Sequence, residues 1–166
     1  MNDIDAGTVE RLLDRAKIDD CIQRYANGID RADKEMIASV IWPDAHIKIG
    51  DLDGTGADFV DWVWEALHTM MLTQHFLGRS LIRLNGARAK AETYTRNWHT
   101  LRDEGGQVYD FLHGGRYLDT FEKRGNEWRL LDRYVMWDFA FRNDTPTDVS
   151  RGAMGQGDLM WERPPP

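Results

Sequence analysis

The chain has a single cysteine, Cys21, among 166 residues, so an internal disulfide is excluded. Cys21 falls between Ile18 and Ile22 on an apolar helical stripe, where a thiol serves as a small core side chain rather than a redox group. Basic charge is also short. The net charge is −7 and the isoelectric point about 5.2, whereas nucleic acid or an anionic membrane as partner would favour a basic stripe. No run of about eighteen apolar residues occurs, so no membrane-spanning helix is expected. Residues 1–5 lack the basic segment and following apolar stretch of a secretory signal, and the expected location is the cytoplasm. Repeats, low-complexity tracts and inter-domain linkers are missing as well, which leaves one domain over 1–142 and an irregular, Gly/Pro-rich tail over 143–166. Met154, Leu159, Met160 and Trp161 make that tail apolar enough to pack on a neighbouring surface. The glycine-rich stretch 50–56 lacks the Lys-Ser/Thr ending of a phosphate loop, so nucleotide binding has no support.

Aromatic side chains, by contrast, are plentiful: seven Trp, six Phe and five Tyr. Such an excess suits a pocket for a flat, apolar ligand, although a large sheet core also uses it. The order of elements points to an α+β domain. From Ile18 the apolar residues Cys21, Ile22, Tyr25, Ala26 and Ile29 recur at helical spacing, predicting a helix that Thr8 caps and that loosens at Asn27-Gly28. Asp33 is a cap for a second, short helix, which Trp42-Pro43 stops. His46 to Ile49 alternates as a strand, and a third helix capped by Asp58 buries Phe59, Trp62, Val63, Ala66, Leu67 and Met70. After Met71 four long strands are expected, turning at Asn85-Gly86, Gly105-Gly106 and Gly125-Asn126. Helices covering one face of a strongly curved, mainly antiparallel sheet form a cone whose open end is a natural pocket.

Two polar residues fall where apolar runs meet turns: Asp30, at the end of the first helix, and His75, in Thr73-Gln74-His75-Phe76. His99 follows in a third segment. Converging, the three would supply a base, its orienting carboxylate and an acid. Strand alternation places Asn97 with His99 on one face, and Trp98 on the other. Asp30, His75 and His99 also form a conceivable metal set, but the short spacings His-x-Glu and His-x-x-x-His are absent, and no metal or other cofactor is expected.

The helix ending in Gly28-Ile29-Asp30, the stretch Trp42-Pro43-Asp44-Ala45, the Thr-Gln-His75-Phe-Leu-Gly segment, the run from Gly114 to Lys123 and Glu127-Trp128-Arg129-Leu130 together resemble the SnoaL-like branch of the nuclear transport factor 2-like superfamily. The resemblance spans about Leu12 to Phe141 and implies the cone-shaped α+β barrel of that superfamily. Scytalone dehydratase and lindane dehydrochlorinase, which the chain resembles, work with an Asp–His dyad; Asp30 and His75 match it, and His99 matches the dehydratase's second histidine. The chain departs from that enzyme at Ile29, about Ile49 and near Tyr117, where the dehydratase has two tyrosines and an asparagine. Bile-acid dehydratases are similar through Tyr25 and Asp30, while their last-strand arginine meets Met136 here.

The resemblance thus implies a cofactor-independent lyase for an apolar, aromatic or polycyclic substrate. Asp30, His75, His99 and Tyr25 are the catalytic candidates. Trp62, Trp98, Phe111, Tyr117, Trp137, Asn97 and His113 are pocket candidates, with Arg116 as an anion or phenolate clamp. The same groups would serve carbon–carbon cleavage, such as deformylation of an aryl diol, or isomerisation. A non-catalytic ligand-binding module or an assembly subunit, such as a dioxygenase small subunit, is the alternative. A homo-oligomer, dimer or trimer, is expected, with no nucleic acid or membrane as partner.

Overall fold

The computed structural model describes residues 6–146; the tail residues Met154, Leu159, Met160 and Trp161 lie outside them. A long helix α1 (Ala6–Arg31) and a short α2 (Lys34–Ser39) precede β1 (Ile41–Ile49) and β2 (Leu52–Thr55). Helix α3 (Gly56–Thr69) then leads into β3 (Met70–Leu77), β4 (Leu81–Asn85), β5 (Arg88–Arg102), β6 (Val108–Arg124) and β7 (Glu127–Asn143). The strands form one sheet in the order β2-β1-β7-β6-β5-β3, with β4 also on β5. Only β1 and β7 run parallel. The sheet is curved but does not close.

Helix α1 has the expected stripe: Ile18, Cys21, Ile22, Tyr25, Ala26 and Ile29 are all buried against the sheet. Full burial of each large aliphatic contributes about 1.5–3 kcal/mol, and this face anchors the helix. Its ends differ from expectation. Among the described residues the helix already runs at Ala6, so Thr8 lies inside it rather than capping it, and it continues through Gly28 to Arg31, which leaves Asp30 in its last turn. The chain reverses at Ala32, whose φ is 51°, and Asp33 N–H donates back to the Gly28 carbonyl at 2.8 Å. Gly28 is required for close approach, since a Cβ there would meet Ile37 Cγ1 at 2.8 Å. Asp33 caps α2 as expected, accepting from Met36 N–H at 2.8 Å.

Several local expectations are corrected. Trp42-Pro43 lies inside β1 rather than ending a helix; the β1–β7 register is irregular between Ile41 and His46, and Pro43 falls where no ladder donor is needed. The glycine-rich stretch contains β2, and Thr55, not Asp58, caps α3, with Asp58 returning a bond to the Thr55 backbone as the other half of a capping box. The C-terminal half holds five strands, because β4 and β3 share β5 end to end. Asn85 pairs with Arg88, so the first hairpin loop is Gly86-Ala87, and Gly105-Gly106 lies in a longer loop between the paired Arg102 and Val108. The turn at Gly125-Asn126 is as read, with Gly125 at φ 63°.

Two bulges between β6 and β7 set which side chains face inward. The register shifts between Thr120 and Phe121, and again between Gly114 and Gly115. At the second shift a Cβ on Gly115 would fall 1.9 Å from the Met136 carbonyl oxygen. Glycine here permits the bulge, and Trp137 occupies the inward position opposite Gly115.

Candidate active site

The last turn of α1 abuts β3, and this contact brings Asp30 to His75. The His75 ring Nδ1 lies 2.6 Å from Asp30 Oδ1, while the His75 backbone N–H donates to Asp30 Oδ2 at 2.8 Å. Thr73 Oγ1, one alternation back on β3, donates to Oδ1 at 3.4 Å. Both carboxylate oxygens are therefore occupied by the histidine they orient. The pair is largely screened from water: side-chain exposure is 7% for His75 and 15% for Asp30. With Nδ1–H directed to the carboxylate, Nε2 is the ring atom available to a ligand.

His75 lines a cavity of about 400 Å³ between α1, α3 and the concave sheet. Tyr25, Asn97, His99, Phe111, His113, Tyr117, Trp62 and Trp137 line it too, with apolar walls from Ile29, Phe59, Val63, Leu67, Met70, Leu101 and Val135. Such a lining, apolar with a few convergent polar groups, is the usual make-up of a small-molecule site. Trp62 stands at the mouth, 44% exposed.

A row of rings runs across the sheet from His75. The His99 ring packs edge-on to His75 with centroids 5.5 Å apart. His113 lies across β5–β6 from it, the two Nε2 atoms 3.1 Å apart, and Trp137 stacks on His113 at 4.8 Å. Burial pushes His99 down to about 3, with the neighbouring His75 and His113 adding to the effect. Burial and His75 take His113 down to about 4. Both are neutral imidazoles at neutral pH, so His99 is not available there as an imidazolium acid.

Behind Tyr25 and Tyr117, outside the residues that line the cavity, lies a buried ion pair. Arg133 of β7 grips Asp119 of β6 through Nε at 2.8 Å and Nη2 at 2.7 Å, and both side chains are sealed from solvent. The guanidinium carbon lies 4.1 Å from the ring centroids of both Tyr25 and Tyr117, between the two phenols. Burial raises the Tyr25 phenol above its ordinary value, against the opposing charge of Arg133. Asn97 Nδ2 donates to the Tyr117 hydroxyl at 3.3 Å. Sequence reasoning missed Arg133 and Asp119. The last strand does carry a buried arginine, three residues before Met136.

Two pocket candidates are corrected. Trp98 lies on the outer face of β5, and Arg116 on the outer face of β6, because their inward neighbours are Asn97, His99 and Tyr117. The Arg116 guanidinium is engaged outside by Asp138 at 3.2 Å and Glu92 at 3.7 Å and cannot clamp a ligand in the cavity. His46 and His68 are exposed: His46 bridges Asp53 and Asp132, and His68 Nδ1 lies 2.7 Å from the Trp64 carbonyl oxygen. Among the described residues no group of three or more His, Cys, Asp or Glu side chains is placed to hold a metal ion.

Comparison with solved structures gives the same fold in several settings. A hexachlorocyclohexane dehydrochlorinase (LinA type 3) of Novosphingobium barchaimii is 19% identical, with a TM-score of 0.74 over 86% of this chain and 99% of that one. A protein of Novosphingobium aromaticivorans provisionally named scytalone dehydratase is 20% identical, with a TM-score of 0.71 over 92% and 99% of the two chains. The β subunit of a provisionally named aromatic-ring-hydroxylating dioxygenase from the same organism is 19% identical, with a TM-score of 0.60 over 78% and 92%. At these identities the likeness shows the fold. A search of curated proteins finds no match. The family model of the SnoaL-like domain matches residues 10–134, and the chain belongs to that family, within the nuclear transport factor 2-like superfamily.

Proposed function

We propose that the protein is a cofactor-independent lyase that eliminates a hydroxyl or comparable leaving group from an apolar, aromatic or polycyclic small molecule. The observation that carries this reading is the 2.6 Å His75–Asp30 contact at the wall of a mainly apolar cavity. Asp30 holds the Nδ1–H tautomer, His75 Nε2 takes a proton from the substrate carbon, and the carboxylate faces the imidazolium that forms. The leaving oxygen needs a proton donor. Tyr25 fits that role: burial keeps its phenol protonated at neutral pH, and the Arg133 guanidinium packed over its ring stabilises negative charge that develops on the phenol. His99 acts from the neutral form, as a hydrogen-bond partner. Each acid or base role of this kind accounts for about 10²- to 10⁴-fold in rate.

The dehydrochlorinase and the provisionally named scytalone dehydratase support an elimination by their fold and names. The dioxygenase β subunit carries the second reading, a non-catalytic assembly subunit. The two separate in one experiment. Purified protein is incubated with bicyclic β-hydroxy ketones fused to an aromatic ring, and products are read by mass spectrometry. Loss of one water with wild type, absent with His75→Gln, supports the lyase. Loss of a one-carbon fragment or a shift of a double bond would redirect the assignment to carbon–carbon cleavage or isomerisation at the same base. No turnover of any compound, with a large iron–sulfur protein copurifying from the native host, would overturn it.

A further inference from the structure

Two polar atoms on the cavity side of β5 have no hydrogen-bond partner among the described residues: Asn97 Oδ1 and His99 Nδ1. Asn97 is 1% exposed and His99 8%, and both line the cavity. Folded proteins rarely leave buried polar atoms unpaired, and such atoms at a cavity wall mark where a ligand supplies the missing partner. Asn97 holds its amide nitrogen toward two hydroxyls. Its Nδ2 donates to the Tyr117 hydroxyl at 3.3 Å and to Thr95 Oγ1 at 3.4 Å, so the carbonyl oxygen is the free end. An amide oxygen only accepts, and the group that meets it must donate.

The site is distinct from the proposed proton-transfer pair. Asn97 lies directly across from His75 in the β3–β5 register, while His99, two residues further along β5, presents its second unpaired atom to the same wall. His99 Nε2 is already occupied by His113, so His99 meets a ligand through Nδ1. Facing this polar edge are Phe59, Val63 and Leu67 of α3, which suit the flat body of the ligand.

We propose that Asn97 Oδ1, with His99 Nδ1 beside it, forms a hydroxyl subsite, and that the ligand is a hydroxylated flat ring system whose O–H donates to Asn97, separately from the leaving group that Tyr25 protonates. As an account of substrate class this rests on the lyase reading, but its test is binding alone. Titration calorimetry on the intact protein would compare β-naphthol, β-methoxynaphthalene and β-methylnaphthalene, which share a ring and differ in whether they donate. Wild type is expected to bind the naphthol about tenfold or more tightly than either analogue, since both analogues bury the Asn97 oxygen without a partner. Asn97→Leu should bring the three affinities together by weakening the naphthol. His75→Gln should leave the naphthol preference intact, which keeps this subsite separate from the catalytic claim. Equal affinities in wild type, no binding of any probe, or a preference that survives Asn97→Leu would overturn the proposal. Should Asn97→Leu fail to fold, the wild-type comparison alone decides.

Discussion

The two kinds of histidine in the cavity differ in what surrounds them. His75 faces a carboxylate, whereas His99 and His113 face each other and apolar rings, and burial takes them down to about 3 and about 4. Their pH linkage has a definite sign. In the unfolded chain both protonate near 6.5, so between that pH and their folded values the unfolded state binds more protons. Their contribution is complete above about 6.5 and is lost as pH falls toward about 4 and about 3. Urea unfolding at a series of pH values should show stability dropping below neutrality, and a shallower drop in His113→Phe; equal slopes would contradict the assignment. Arg133 gives a second expectation at this scale. Arg133→Met strands Asp119 as an unpaired buried carboxylate and should cost about 3–5 kcal/mol, whereas the double change Arg133→Met with Asp119→Leu should recover most of it. Asp30 and His75 were legible because each falls where an apolar run meets a turn and because the pair matches the dyad of the family the chain resembles. Arg133 was not. Counting inward positions from Trp128 and Leu130 selects Asp132, and only the bulge between Thr120 and Phe121 reverses the alternation to bury Arg133.

Element by element, the chain reads well where spacing decides and poorly where a single residue breaks the spacing. The stripe on α1 and the Gly125-Asn126 hairpin were plain from periodicity and turn chemistry, whereas the α1 terminus was not, since Asn27-Gly28 looks like a stop. Gly28 is instead a packing position against Ile37, and the left-handed residue is Ala32. An L-residue in that conformation costs roughly 1–2 kcal/mol, partly offset in glycine by its greater unfolded freedom. Ala32→Gly should therefore raise stability by about 0.5–1 kcal/mol in denaturant unfolding, and a loss would show that the Ala32 methyl's packing outweighs the strain. Gly115→Ala should act in the other direction. Its Cβ would collide with the Met136 carbonyl, and a cost of about 1–3 kcal/mol is expected, with displacement of Trp137 read as altered tryptophan fluorescence.

Across the whole molecule the two faces of the sheet have different work. The concave face carries the cavity; the outer face leaves Phe76 71%, Tyr94 61% and Phe141 59% exposed, with Tyr134 and Phe139 beside them. An aromatic face of this kind favours a symmetric partner, and light scattering at micromolar concentration should report a dimer or trimer, with Phe141→Lys shifting it toward monomer. A wild-type monomer would contradict this. None of the helices in the described residues is long and apolar enough to cross a membrane. The layered α+β plan was legible from helices preceding strands, while the pairing of β1 with β7 was not, because those strands are far apart in sequence and only the folded sheet makes them neighbours. The central claim is that His75 is the base and Asp30 its orienting partner. It is tested most directly by measuring turnover of the eliminated substrate and β-naphthol affinity together in wild type, His75→Gln and Asp30→Asn. The account predicts near-complete loss of turnover in His75→Gln, since glutamine cannot accept the proton, a smaller loss in Asp30→Asn, and naphthol affinity largely kept in both. Near-wild-type turnover in both variants would contradict it.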